Sequence, residues 1–220
     1  MTMIKRYNLE NLNGWIQAGE SGNSGGGSIT PNPNYVMTPG KPPSDITPAV
    51  FSIKGKTQYA NAYWYDQLGS HPEATRFNLS LSFALPSASD LSACQAVEFE
   101  LQQSTGALVF NMAWQFNQVG SKTLRIFNYA TKVWEDTGIP FALVAGKWTT
   151  VYAEFVRNAT ETWHTGIAIN GIWSTIMSAH PGVPTKGAPY LNAAFQLDSV
   201  GSNPPPFYRC FVKDYNVSWI

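Results

Sequence analysis

Phe77-Asn78-Leu79-Ser80-Leu81-Ser82-Phe83-Ala84-Leu85 puts an apolar residue at every second position. Successive side chains of a β-strand point to opposite sides, so Phe77, Leu79, Leu81, Phe83 and Leu85 share one face while Asn78, Ser80 and Ser82 share the other. The same period recurs on both sides of this run. In Ala96–Gln102, Val97, Phe99 and Leu101 oppose Glu98 and Glu100. In Ala107–Phe116, Leu108, Phe110, Met112, Trp114 and Phe116 oppose Asn111 and Gln115. Further runs are Leu124–Tyr129, Trp148–Val156, Trp163–Asn170, Tyr190–Asp198 and Phe207–Trp219, separated by turn-forming clusters. Val151, Ala153 and Phe155 oppose Tyr152 and Glu154; Ile167 and Ile169 oppose His164; Leu191, Ala193, Phe195 and Leu197 oppose Asn192, Gln196 and Asp198. Strands that each carry one clean apolar face pack as two sheets face to face. No long segment sustains a helical period, which removes the parallel α/β folds. The fold class is therefore all-β, a two-sheet antiparallel sandwich. One domain over 1–220 is expected, with 22–48 an irregular Gly/Pro-rich segment that is not to be forced into a helix.

Composition narrows the partners. Asp, Glu, Lys and Arg make up only 13% of the 220 residues and the formal net charge is zero. An average soluble domain is about 25% charged. Without a basic run there is no electrostatic footprint for nucleic acid. Neutral polar groups with 14% aromatics suit an uncharged, hydroxyl-rich ligand such as a sugar. No run approaches the apolar length of a membrane span. The opening Met1-Thr2-Met3-Ile4-Lys5-Arg6-Tyr7 has charge but no apolar core after it, so no signal peptide is visible. Cys94 and Cys210 either pair across neighbouring strands or stay as two buried thiols. A bond closing so long a loop would add roughly 4 kcal/mol by the chain-entropy argument.

The outer faces hold the candidate binding groups. Glu98, Glu100, Asn111, Gln115, Glu154, His164, Asn192, Gln196 and Asp198 stand at alternate positions. If their strands share a sheet, they line one polar surface. Tyr63, Trp64, Tyr65, Trp134 and Trp173 supply rings that could stack on sugars. An exposed sheet face is also polar simply because it meets water. Glu98 and Glu100 are set apart from that plain reading, since strands deplete Glu and like charges at i, i+2 repel. His71, His164 and His180 lack metal-ligand spacing, and no nucleophile elbow or phosphate loop is present. Asp45, Asp66, Asp90 and Asp214, in loops or at strand ends, are calcium candidates whose context does not distinguish them from ordinary turn aspartates, so neither a metal nor another cofactor is expected.

Glu98-Phe99-Glu100-Leu101-Gln102-Gln103 resembles the E-x-D-x-x-E strand of the retaining glucanases built on the concanavalin-type jelly roll. That resemblance implies Glu98 as nucleophile and Glu100 as the assisting carboxylate. Gln103 falls where the family has its acid, and a glutamine has no proton to give a leaving group. Glu154 or Asp198 would have to replace it. More widely, YWYDQLG, AVEFELQQ, WEDTGIP, KWTTVYAEFVR, AINGIW, AAFQLD and YNVSWI resemble the laminin-G/concanavalin-like domains of secreted bacterial proteins. This implies a jelly roll, an extracellular or periplasmic monomer, and a last strand that returns beside early ones, bringing the Cys94 and Cys210 regions near each other. Three functions stay open: a polysaccharide- or oligosaccharide-binding module, a retaining glycoside hydrolase using Glu98, Glu100 and Glu154, and an adhesive or structural domain. For the first, Glu98, Glu100, Asn111, Gln115, His164, Gln196, Asp198, Trp64 and Trp134 are the expected ligand contacts.

Overall fold

The computed structural model describes residues 3–9, 15–18, 28–29, 49–54 and 58–220. In chain order the strands are β1 (Ile4–Arg6), β2 (Ile16–Ala18), β3 (Ser28–Ile29), β4 (Ala49–Lys54), β5 (Asn61–Gly69), β6 (Arg76–Ala84), β7 (Cys94–Ser104) and β8 (Leu108–Asn117). They continue as β9 (Thr123–Asn128), β10 (Val133–Pro140), β11 (Thr149–Arg157), β12 (Glu161–Ile169), β13 (Ile172–Pro181), β14 (Val183–Pro184), β15 (Tyr190–Ser199) and β16 (Tyr208–Trp219). A short helix, α1 (Ala88–Ala93), is capped by Ser87, whose hydroxyl accepts from the Asp90 amide. Apart from Ser28–Ile29, the 22–48 segment and its Asp45 lie outside the described residues.

Two antiparallel sheets form the sandwich. The first runs β13-β12-β11-β6-β16-β4-β3, with β1 on β16; the second runs β10-β9-β8-β7-β15-β5-β2, with β14 on β8. The alternating faces meet between them. Leu79, Phe99, Phe110, Phe155 and Phe195 are all buried, as the pattern requires. Phe83 of the first sheet meets Phe116 of the second edge-on at 5.1 Å, and Phe51 meets Phe195 at 4.9 Å. Each such aromatic removes some 150–250 Å² from water, so this layer dominates the burial energy.

Two local devices matter for the site. Asn170 and Gly171, with φ of 50° and 82°, close the β12–β13 hairpin in the turn that an Asn-Gly pair favours. In β12 the pairing register slips, since Glu154 faces Gly166 while Phe155 faces His164, leaving Thr165 as the extra residue of a bulge. Gly166 is required there, because a Cβ would lie 2.3 Å from the Trp173 ring and 2.7 Å from the Ser174 carbonyl oxygen.

Cys94 and Cys210 sit on different sheets, both buried and unbonded. They lie within electrostatic reach of each other, with Tyr208 beside both. The regions thus come together as expected, as free thiols.

Candidate functional site

The outer face of the second sheet carries a groove of about 530 Å³ over β5, β15, β7 and β8, bounded by the β9–β10 hairpin. Its floor follows from strand register. Glu98 on β7 is flanked by Gln115 on β8 and Gln196 on β15, while Glu100 is flanked by Ala113 and Ala194. Long neighbours cover Glu98, which is 8% exposed, and small ones leave Glu100 open to the groove. Amide groups hold the carboxylates in place. Gln115 Nε2 donates to Glu98 Oε1 at 2.6 Å, Asn111 Nδ2 to Glu100 Oε2 at 2.6 Å, and the Tyr63 hydroxyl to Glu100 Oε1 at 2.5 Å. Gln196 Nε2 donates to Asp198 Oδ1 at 2.9 Å. Glu98 and Asp198 are themselves hydrogen-bonded.

One wall is aromatic. Phe127 on β9 packs on Trp134 on β10 with ring centroids 5.0 Å apart, and Tyr129 in the hairpin turn stands 6.2 Å from Phe127. The turn is set by Asn128, whose side-chain oxygen accepts from the Ala130 and Thr131 amides, and by Lys132 at φ 59°. The Lys132 ammonium then lies 3.1 Å above the Tyr129 ring.

By sequence, no family model and no curated protein matches the chain. Solved structures do. Peanut lectin bound to a nine-residue peptide superposes with a TM-score of 0.57 at 11% identity, over 100% of this chain and 99% of that one. The lectin UEA-II complexed with galactose gives 0.52 at 9%, over 99% of each. Alginate lyase Aly36B gives 0.53 at 14%, over 98% and 96%. This is the concanavalin A-like lectin/glucanase fold.

Within the lectin/glucanase fold, the strand that resembles a glucanase catalytic strand differs from it in geometry as well as in sequence. β7 pairs with β8 without a slip from Ala96 to Ser104. A residue five positions after Glu98 must therefore point to the opposite face. Gln103 does so: it is buried, and its Nε2 donates to the carbonyls of His71 at 2.7 Å and Ala74 at 3.1 Å. It brackets a loop on the inner side of the sheet.

The structure gathers Glu98, Glu100, Asn111, Gln115, Gln196, Asp198 and Trp134 on one face. Four expected residues are corrected. Glu154 projects from β11 on the first sheet, where Tyr152 donates to it at 2.8 Å, so it cannot serve as the missing acid beside Glu98. His164 is fully buried between the sheets, turned inward by the bulge at Thr165. Trp64 is buried against Phe51, because β5 sends Tyr63 and Tyr65 outward and Trp64 inward. Trp173, on β13 at the edge of the first sheet, is likewise outside the groove. Sequence reasoning did not single out Phe127, Tyr129, Lys132, Asn61 or Gln102 as groove residues.

Burial, and after it the adjoining Asp198 carboxylate, holds the Glu98 proton well above the ordinary carboxylate range, against the opposing pull of Gln115. A carboxyl whose pKa is raised by folding stabilises the fold below its unfolded value and loses that contribution as pH rises through the folded one. Glu98→Gln mimics the protonated form. It is expected to exceed the parent in stability at neutral pH by about 1–2 kcal/mol, roughly 2–8 °C in Tm. Thermal melts should show that gain vanishing below about pH 4.5.

Proposed function

We propose that the chain is a glycan-binding module and that its ligand lies along the groove over β7, β8 and β15. The observation that carries this is the pairing of a Phe127–Trp134 aromatic wall with a floor of fixed carboxylates and amides. Pyranose rings present apolar C–H faces to such a wall and hydroxyls to such a floor. The fold's likeness to a galactose-bound lectin and to an alginate lyase, one of whose structures holds an alginate trisaccharide, supports the same reading. The protein is proposed to act as a monomer outside the cytoplasm.

Hydrolysis is the second reading, favoured by one observation: a carboxyl whose proton is held more tightly than usual, beside other carboxylates, is the raw material of an acid catalyst. Retention requires carboxyl groups about 5–5.5 Å apart, whereas Glu98 and Asp198 are in hydrogen-bond contact. Gln103 faces the interior. Binding without turnover is therefore expected.

A glycan array followed by titration calorimetry, with a reducing-sugar assay on every bound glycan, tests this. Trp134→Ala should weaken the best ligand about tenfold or more, as loss of an aromatic anchor does. An unchanged affinity in the folded variant would remove the groove from the reading. Sugar release by the parent protein would convert the module into an enzyme.

A further inference from the structure

The polarity of the groove is lopsided. One N–H of each of the Asn111, Gln115 and Gln196 amides and the hydroxyl of Tyr63 already point at carboxylates, and the Tyr190 hydroxyl points at Gln102. A carboxylate neighbour fixes which end of an amide turns toward it, so these orientations follow from the charges. Acceptors are left over. Asn111, which lines the groove and is 4% exposed, has no hydrogen-bond partner on Oδ1, and neither has Gln115 on Oε1 at 5% exposure. Formal charge leans the same way. Glu100 and Asp198 line the groove, beside the Glu98 carboxyl, against a single lining cation, Lys132, which rests on Tyr129 at the rim. Arg125 shares the sheet face, but β9–β10 pairing sets it opposite Asp136. Among the described residues no group of three His, Cys, Asp or Glu side chains is arranged to hold a metal ion.

Resting on the reading that the groove holds a glycan, we propose that this glycan bears free amino groups: an oligomer or polymer of unsubstituted, protonated hexosamine. An ammonium supplies three donors and a positive charge, and so answers both the unpaired acceptors and the excess carboxylate. An N-acylated sugar brings only neutral groups to the same carboxylates. A polyuronate adds like charge to a partly desolvated acidic floor, which disfavours it strongly. The aromatic wall distinguishes a ring-bearing amine from an aliphatic one, because a sugar can lie flat on Trp134 while its ammonium reaches Glu100 or the Glu98–Asp198 pair. Binding of a cation there favours the ionised form of Glu98 over the protonated one.

The test is calorimetry at mildly acidic pH, with the tetramers of glucosamine, N-acetylglucosamine, glucose and guluronic acid, and tetralysine as the ring-free polyamine. The glucosamine tetramer is expected to bind about tenfold or more tighter than any other, with the margin shrinking as salt rises. Glu100→Gln and Asp198→Asn should each cut that margin to about threefold or less, and a margin of about tenfold kept in both folded variants overturns the inference. Equal affinity for the three uncharged and amino tetramers overturns the inference and leaves the glycan-binding reading standing. A folded protein that binds no sugar of any kind overturns both. Tetralysine matching the glucosamine tetramer reduces the groove to an ion exchanger and overturns the inference, as does a preference for guluronate. Should both variants fail to fold, the salt series on the parent decides, and a margin indifferent to salt overturns the proposal.

Discussion

Replacing Arg157 by Met is expected to cost about 3–5 kcal/mol of stability, a fall of roughly 6–20 °C in Tm. Arg157 ends β11 and is 8% exposed. Its guanidinium donates to the carbonyls of Pro72 at 2.7 Å, Ala74 at 2.8 Å and 3.2 Å, and Asn158 at 2.9 Å, while lying 5.0 Å from the Phe110 ring centroid. Methionine keeps much of the stem volume and removes every donor. The carbonyl oxygens of Pro72 and Ala74 then lose a charged partner, at about 1.5–3 kcal/mol for each such bond before relaxation. Ala74 keeps only the weaker donation from Gln103. Because Gln103 belongs to the second sheet and Arg157 to the first, the 71–75 loop is the seam on which both sheets pull. Denaturant titration should show a lower midpoint; a stability within about 1 kcal/mol of the parent would mean the seam is not where the sheets are coupled.

Acid should destabilise the protein through His164. Its pKa is pushed down from 6.5 to about 3, first by burial and then by neighbouring His180. The ring is packed against Trp114 at 5.4 Å and Phe155 at 5.3 Å, and Nε2 lies 3.3 Å from the Ala113 carbonyl oxygen. A histidine whose folded pKa is depressed leaves the unfolded chain to take up the proton first, so stability is lost as pH falls from about 6.5 toward about 3. At about 1.4 kcal/mol per unit, the loss between pH 7 and pH 4 comes to roughly 3 kcal/mol. Glu98 works in the opposite sense above its unfolded value, so the two partly cancel in the parent. His164→Gln keeps a donor for Ala113 and does not titrate. Its stability relative to the parent should rise by about 3 kcal/mol between pH 7 and pH 4; an unchanged difference would show that His164 takes up its proton in the fold as readily as in the unfolded chain.

The central strands were legible in the sequence because one face of each is buried and the other wet. Runs read as Phe77–Leu85, Ala96–Gln102 and Tyr190–Asp198 became β6, β7 and β15 to within two residues at each end. β10 and β13 were not, since sheet-edge strands are half-exposed throughout and their alternation blurs. His164 was placed on the wrong face because one extra residue, Thr165, inverts the count and leaves no mark in composition. In Tyr63-Trp64-Tyr65 every residue is aromatic, so period gives no face; only pairing with β15 shows that Tyr63 reaches Glu100. Glu154 failed for a different reason. Alternation tells which residues of a strand share a face, and says nothing of which sheet the strand joins.

The two cysteines bear on how the molecule can be handled. Both thiols are sealed in the interior, and burial pushes their pKa values up, so neither offers a thiolate to an oxidant or an alkylating reagent. The surface of the described sandwich is thus a blank slate for sulfur chemistry. A cysteine placed on the groove rim would take a fluorophore or spin label at that point alone, with both native residues left in place.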